Sequence, residues 1–130
     1  MTYTQPQGYR EMEILSMTPA QRVVALYARL HVLLLQARNQ LDVGDIAARE
    51  ERLMAASAIV HELAVSLDRE RGGPLADQLA ALYTWLIGEF TAIHAKADRG
   101  RLEATINIVR ELHEAWQGAA LQVSTPAASW

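Results

Sequence analysis

The sequence predicts an all-α fold: an antiparallel, up-down-up-down bundle of four long helices, preceded by a short N-terminal apolar segment. Three observations carry this. Ala is the commonest residue, while aromatics make up only 6%, and Ala, Leu and Arg are among the strongest helix formers. The seven Gly and four Pro of the 130 residues fall mostly in a few clusters. Between the clusters, apolar residues recur at steps of three and four, which keeps them on one helical face.

The first helix is predicted over 19–43. Thr18 suits the N-cap, Pro19 the first helical position, and Gln21 completes a capping box. Val23, Leu26, Leu30, Leu33, Ala37 and Leu41 form its stripe. Gly44-Asp45 then reads as a left-handed stop followed by a new cap. The second helix, over 46–71, carries Ile46, Leu53, Ala56, Val60, Leu63 and Leu67. Gly72-Gly73-Pro74 marks the next turn, and a third helix over 74–97 carries Leu75, Leu79, Leu82, Leu86, Phe90, Ile93 and Ala97. Asp98 caps a fourth helix over 99–117, with Leu102, Thr105, Val109, Leu112 and Trp116 inward and Gly118 near its end. Helices of similar length joined by such short breaks must be antiparallel neighbours. The resulting division is an N-terminal flexible segment over 1–17, a bundle over 18–118, and a disordered tail over 119–130.

Composition excludes several function classes. There is no cysteine, hence no disulfide or thiolate metal site. The formal charge is −3, and the basic residues, all Arg except Lys96, are scattered rather than gathered into a stripe. That argues against a nucleic-acid partner. The N-terminus has no apolar signal core, and the most apolar stretch, Val23–Leu35, is interrupted by Arg29 and His31. A membrane span needs about 20 apolar residues, so no membrane insertion is expected and the protein is expected in the cytosol.

Catalytic signatures are missing too. A di-metal bundle enzyme would need Glu-x-x-His pairs, yet Ala28, Ala58, Thr91 and Arg110 stand three residues before His31, His61, His94 and His113. Gly72-Gly73 follows no strand and precedes no Lys, so it is no phosphate loop. The alternating charges of Asp68-Arg69-Glu70-Arg71 suit a solvated helix end rather than an acid/base pair. No catalytic residue, metal ligand or cofactor site emerges, and the expectation is a protein that is not an enzyme.

Apolar residues are in surplus instead. Val24, Tyr27, Val32, Leu34, Leu35, Ala55, Ile59, Tyr83, Trp85, Ile87, Ile106 and Ile108 lie beyond the single stripes. They widen the core, or line a groove that receives apolar helices from a partner.

Four stretches resemble the flagellar secretion chaperone family FliS. Tyr9 precedes a short apolar run and Ser16-Met17-Thr18-Pro19, where the family has Thr-Ala-Ser-Pro. Leu26-Tyr27 follows in the first helix. Glu62-Leu63, Ser66-Leu67-Asp68, Glu70, Gly72-Gly73, Ala76, Leu79 and Leu82-Tyr83 fall at the family's spacing, and Leu112-His113-Glu114-Ala115-Trp116 closes the pattern. Departures gather in the first helix, where Arg22, Ala25 and Ala28-Arg29 replace family residues, and at His94. The resemblance implies a helical chaperone that binds the disordered C-terminal segment of flagellin, blocks its premature polymerisation and keeps it competent for type III export, with components of the flagellar export apparatus as further partners. It implies partner contacts among Tyr9, Ile14, Tyr27, Leu30, Ile59, Leu63, Leu67, Leu82, Tyr83 and Leu86. Binding should then rest on apolar contacts, with charge reversal at Arg49 or Arg52 of little effect. Tyr9, Met12, Ile14 and Leu15 are expected to cover part of the empty groove. A helical adaptor for another flagellar protein, such as an anti-sigma factor, shares this groove physics. Oligomeric state is not encoded in any motif.

Overall fold

Thr18 opens the first helix as its sequence predicts: its hydroxyl accepts from the Gln21 backbone N–H at 3.1 Å, and the Gln21 side chain accepts from the Thr18 N–H at 2.9 Å. The structure, a computed structural model, describes residues 17–122. Within them, α1 spans Pro19–Val43, α2 Ile46–Val65, α3 Arg69–Lys96 and α4 Arg99–Gln122. No described residue lies in a strand. The N-terminal segment that was to cover the groove, including Tyr9 and Ile14, lies outside the described residues apart from Met17.

Gly44 ends α1 in the left-handed conformation at φ 77°, and Asp45 caps α2 through the Ala48 N–H. Asp98 caps α4 through the Arg101 N–H at 3.0 Å. Two boundaries differ from expectation. α2 stops at Val65, not at 71, because Ser66 turns its hydroxyl back onto the Glu62 carbonyl and Asp68 caps a new helix through the Arg71 N–H. These weaker signals precede Gly72-Gly73-Pro74, where the expected break also occurs: Gly73 leaves helical geometry at φ 53° and ψ −133°, so a short first turn meets the longer helix from Pro74 across a kink. α4 continues through Gly118 to Gln122, so the expected tail starts inside the helix.

The ring order follows the chain. α1 packs closely on α2 and α4, while α3 closes the ring with lighter contact to both neighbours. Ion pairs across the seams show the antiparallel sense: Arg38 late in α1 meets Glu103 early in α4 at 2.8 Å, and Glu89 late in α3 meets Arg101 at 2.8 Å. The centre is filled by Tyr27, Leu30, Leu34, Leu63, Leu86, Ile93, Leu102 and Val109, with Thr105 satisfied by the Leu102 carbonyl at 2.7 Å. Tyr27, Leu34, Tyr83 and Ile106, in surplus by sequence, are core, whereas Val32 and Trp85 are exposed. Ile46 and Leu75, assigned to stripes, are 64% and 51% exposed. Ile46 is the first residue of α2, at the open end of the bundle. Ala76 takes the core position beside Leu75, and one residue along a helix turns the side chain about 100° away.

Ala97, also assigned to a stripe, is the left-handed C-cap of α3 at φ 51°, ψ 42°. Left-handed geometry costs an L-residue about 1–2 kcal/mol, and Gly avoids it at a smaller entropic cost. Ala97→Gly should therefore stabilise the fold by about 1 kcal/mol. Gly73→Ala should have the opposite sign, a loss of about 1–3 kcal/mol, because its positive φ and extended ψ suit Gly alone. Urea unfolding midpoints check both.

Candidate partner-binding surface

The light packing of α3 leaves an opening where α2 gives way to α3. A cleft of about 230 Å³ is walled there by Leu63 and Leu67 of the α2 end, by Leu75, Ala76, Leu79 and Tyr83 of α3, by Val23 of α1 and by Trp116 of α4. Ser66, Asp68 and Arg71 form its polar rim. The local sequence builds this shape. Asp68 restarts the helix, Gly73 redirects it, and Gly72 lets the short first turn lie against the rest of α3; a Cβ on Gly72 would sit 2.7 Å from the Ala76 Cβ.

Under the cleft lies an aromatic floor. The Tyr27 and Tyr83 hydroxyls are hydrogen-bonded at 2.7 Å, and the Tyr27 ring stacks on Trp116 with centroids 6.3 Å apart. The Trp116 side chain also acts on the Tyr27 hydroxyl. Burial pushes both phenols above the ordinary tyrosine value. The floor therefore stays uncharged at any physiological pH and suits an apolar ligand rather than an ionic one.

Further hollows extend the cleft. One of about 470 Å³ shares Val23 and Ser66 with it and runs along Met17, Pro19, Arg22, Ala25, Leu26 and Glu62. One of about 180 Å³ shares Leu67 and Tyr83 and follows the outer α2/α3 seam past Val60, His61, Ala64, Arg69, Ala80, Thr84 and Ile87. Farther along the same seam, about 310 Å³ opens between Glu50, Leu53, Met54, Ser57, Phe90, Thr91 and His94. Met54 is 73% exposed at its edge. From Leu75 to His94 this track follows α3 for about 29 Å at about 1.5 Å per residue, the length of a helix of roughly 19 residues.

The residues expected to touch a partner fall into three groups. Leu63, Leu67 and Tyr83 line the cleft. Ile59 and Leu82 are half-buried against the core. Tyr27, Leu30 and Leu86 have no exposed surface and belong to the core. The cleft brings in Val23, Leu75 and Trp116, which periodicity had assigned to the core. Their signal lay in the Ser66-Leu67-Asp68 break, which moves the end of α2 and opens this corner.

Arg49 and Arg52 are not the neutral surface positions expected. Arg49 is 7% exposed and bonds Glu50 through Nε and Nη2, and Arg52 pairs with Glu51 through Nη1 while its Nε is sealed with no hydrogen-bond partner among the described residues. A reversed charge at Arg49 would be buried beside Glu50, so it would test folding before binding. Glu50 also bonds His94. Among the described residues, no three His, Asp or Glu side chains gather as a metal would require, and no helix is long and apolar enough to cross a membrane.

This cleft on an Ala-rich four-helix frame spans the stretch with the densest family spacing, Leu63 to Tyr83. Residues 1–123 match the family described as "Flagellar protein FliS". The chain belongs to the FliS family. It is 30% identical to the flagellar secretion chaperone FliS of Salmonella typhimurium over 82% of this chain and 80% of that protein. It is 31% identical to the FliS of Vibrio cholerae, over 85% and 84%, and 29% identical to the secretion chaperone FliSB of Pseudomonas aeruginosa, over 65% and 68%. FliS proteins are chaperones rather than enzymes, and the four-helix frame expected from the resemblance is the frame observed.

Proposed function

We propose that this protein is the cytoplasmic export chaperone of flagellin, and that it binds flagellin's disordered C-terminal segment along the cleft and the α2/α3 seam. By covering that segment it keeps flagellin from polymerising and available to the flagellar type III export apparatus. The observation that carries this reading is the apolar cleft over an uncharged aromatic floor, continued by hollows of mixed lining along the α2/α3 seam, on a chain of the FliS family. Energetics favour a ligand that follows the whole track. Burying one Leu-sized anchor contributes about 1.5–3 kcal/mol, while association costs roughly 4–15 kcal/mol and ordering a disordered segment about 2–5 more. A single cleft holding one side chain falls short, whereas a segment engaging several hollows does not.

Gel filtration of the purified protein with a flagellin C-terminal fragment tests the proposal. Co-elution with that fragment, and not with an anti-sigma factor at equal concentration, is expected. The reverse preference would reassign the protein as an adaptor for another flagellar partner.

A further inference from the structure

The α1/α4 seam carries two histidines. His31 on α1 and His113 on α4 face each other with ring centroids 6.4 Å apart and planes tilted by 56°. Both are half-buried, and the Nε2 of His113 is sealed without a hydrogen-bond partner among the described residues. The charged groups acting on His31 are His113, Arg110 and Glu114 from α4 and Arg38 from its own helix; α2 contributes none. Arg38 is in turn paired with Glu103. One carboxylate therefore faces two guanidiniums and a second imidazole, a setting that resists added positive charge.

The pair sits one helical turn from the aromatic floor of the cleft. Tyr27 lies four residues before His31, and Trp116 three residues after His113, and such spacings share a helix face. Tyr27 and Trp116 are themselves stacked across the same seam. A change in the separation of α1 and α4 at the histidines thus reaches the floor through rigid helix. We propose that His31 and His113 form a proton-operated latch: the seam is closed while His31 is neutral, and a proton on His31, facing the His113 ring across the seam, spreads α1 from α4 and disturbs the Tyr27–Trp116 floor of the cleft.

The direction in pH follows from His31. Burial first, then His113 and Arg110, hold its folded-state pKa below the ordinary 6.5. The unfolded chain takes up this proton first as pH falls. The latch is fully stabilising above about pH 6.5 and loses that stability as pH drops from there through the folded-state value.

The test needs no ligand, so its outcome is separate from the flagellin reading. Replacing Trp85 and Trp130 with Phe leaves Trp116 as the single tryptophan. Its fluorescence is followed from about pH 7.5 to about pH 5.5, the range in which histidine titrates. The expected result is a shift of emission to longer wavelength with a midpoint below about 6.5, abolished in His31→Asn and in His113→Asn. Circular dichroism at the upper pH shows whether each variant is folded, and His31→Gln replaces any that is not. A flat profile in the parent, or a transition that survives in the folded histidine variants, overturns the latch.

Discussion

Tyr27→Phe and Tyr83→Phe are each expected to lower the unfolding free energy by about 1–3 kcal/mol. The reason is the hydroxyl pair. The two hydroxyls are bonded to each other at 2.7 Å in a buried setting. Removing either oxygen takes this bond from the other hydroxyl. Each orphaned buried group costs about 1–3 kcal/mol. Both substitutions keep the rings and so the packing. Urea denaturation of the two variants and the double variant measures the coupling; losses that simply add would show that the two hydroxyls do not depend on each other.

The second large effect concerns binding. Leu75→Glu should weaken the complex with a flagellin C-terminal fragment roughly 10- to 100-fold, the loss of one Leu-sized anchor of about 1.5–3 kcal/mol. Leu75 is half-exposed on the cleft wall and outside the core cluster, so the fold should tolerate the change, which circular dichroism verifies. Leu67→Glu should weaken binding further but also lower stability, because Leu67 packs partly on the core. Unchanged affinity in Leu75→Glu would place the ligand elsewhere on the bundle.

The legible parts of the sequence were those fixed by local chemistry. Thr18, Gly44, Asp45 and Asp98 act at the helix ends where their side chains or backbone freedom demand it, and the stripes of α1 and α4 fall inward nearly residue for residue. The end of α2 was placed too late because Gly-Gly-Pro outweighs Ser66 and Asp68 in a local reading, yet the two polar caps end that helix and Gly73 makes a second break after it. That shift carries the candidate site with it. Apolar period assigns residues to the inward face but cannot separate Leu79, in the core, from Leu75 beside it, on a cleft wall. Nor can it show that α3 packs more lightly than its neighbours, which depends on all four helices together. The family resemblance pointed to the stretch that walls the cleft, Leu63 to Tyr83, but put residues that line it together with Tyr27, Leu30 and Leu86, which have no exposed surface. His31 and His113 lie far apart in sequence, and only the antiparallel pairing of α1 with α4 brings them together.

The central claim is that an apolar track binds the flagellin C-terminal segment. Isothermal titration calorimetry of the purified protein with that fragment, at several temperatures and at about 0.1 M and 0.5 M salt, tests it most directly, since the higher salt shortens the screening length from about 10 Å to about 4 Å. Saturable binding with a negative heat-capacity change, and an affinity that moves little with salt, is the predicted result. Absence of binding, or binding that the higher salt abolishes, would contradict it.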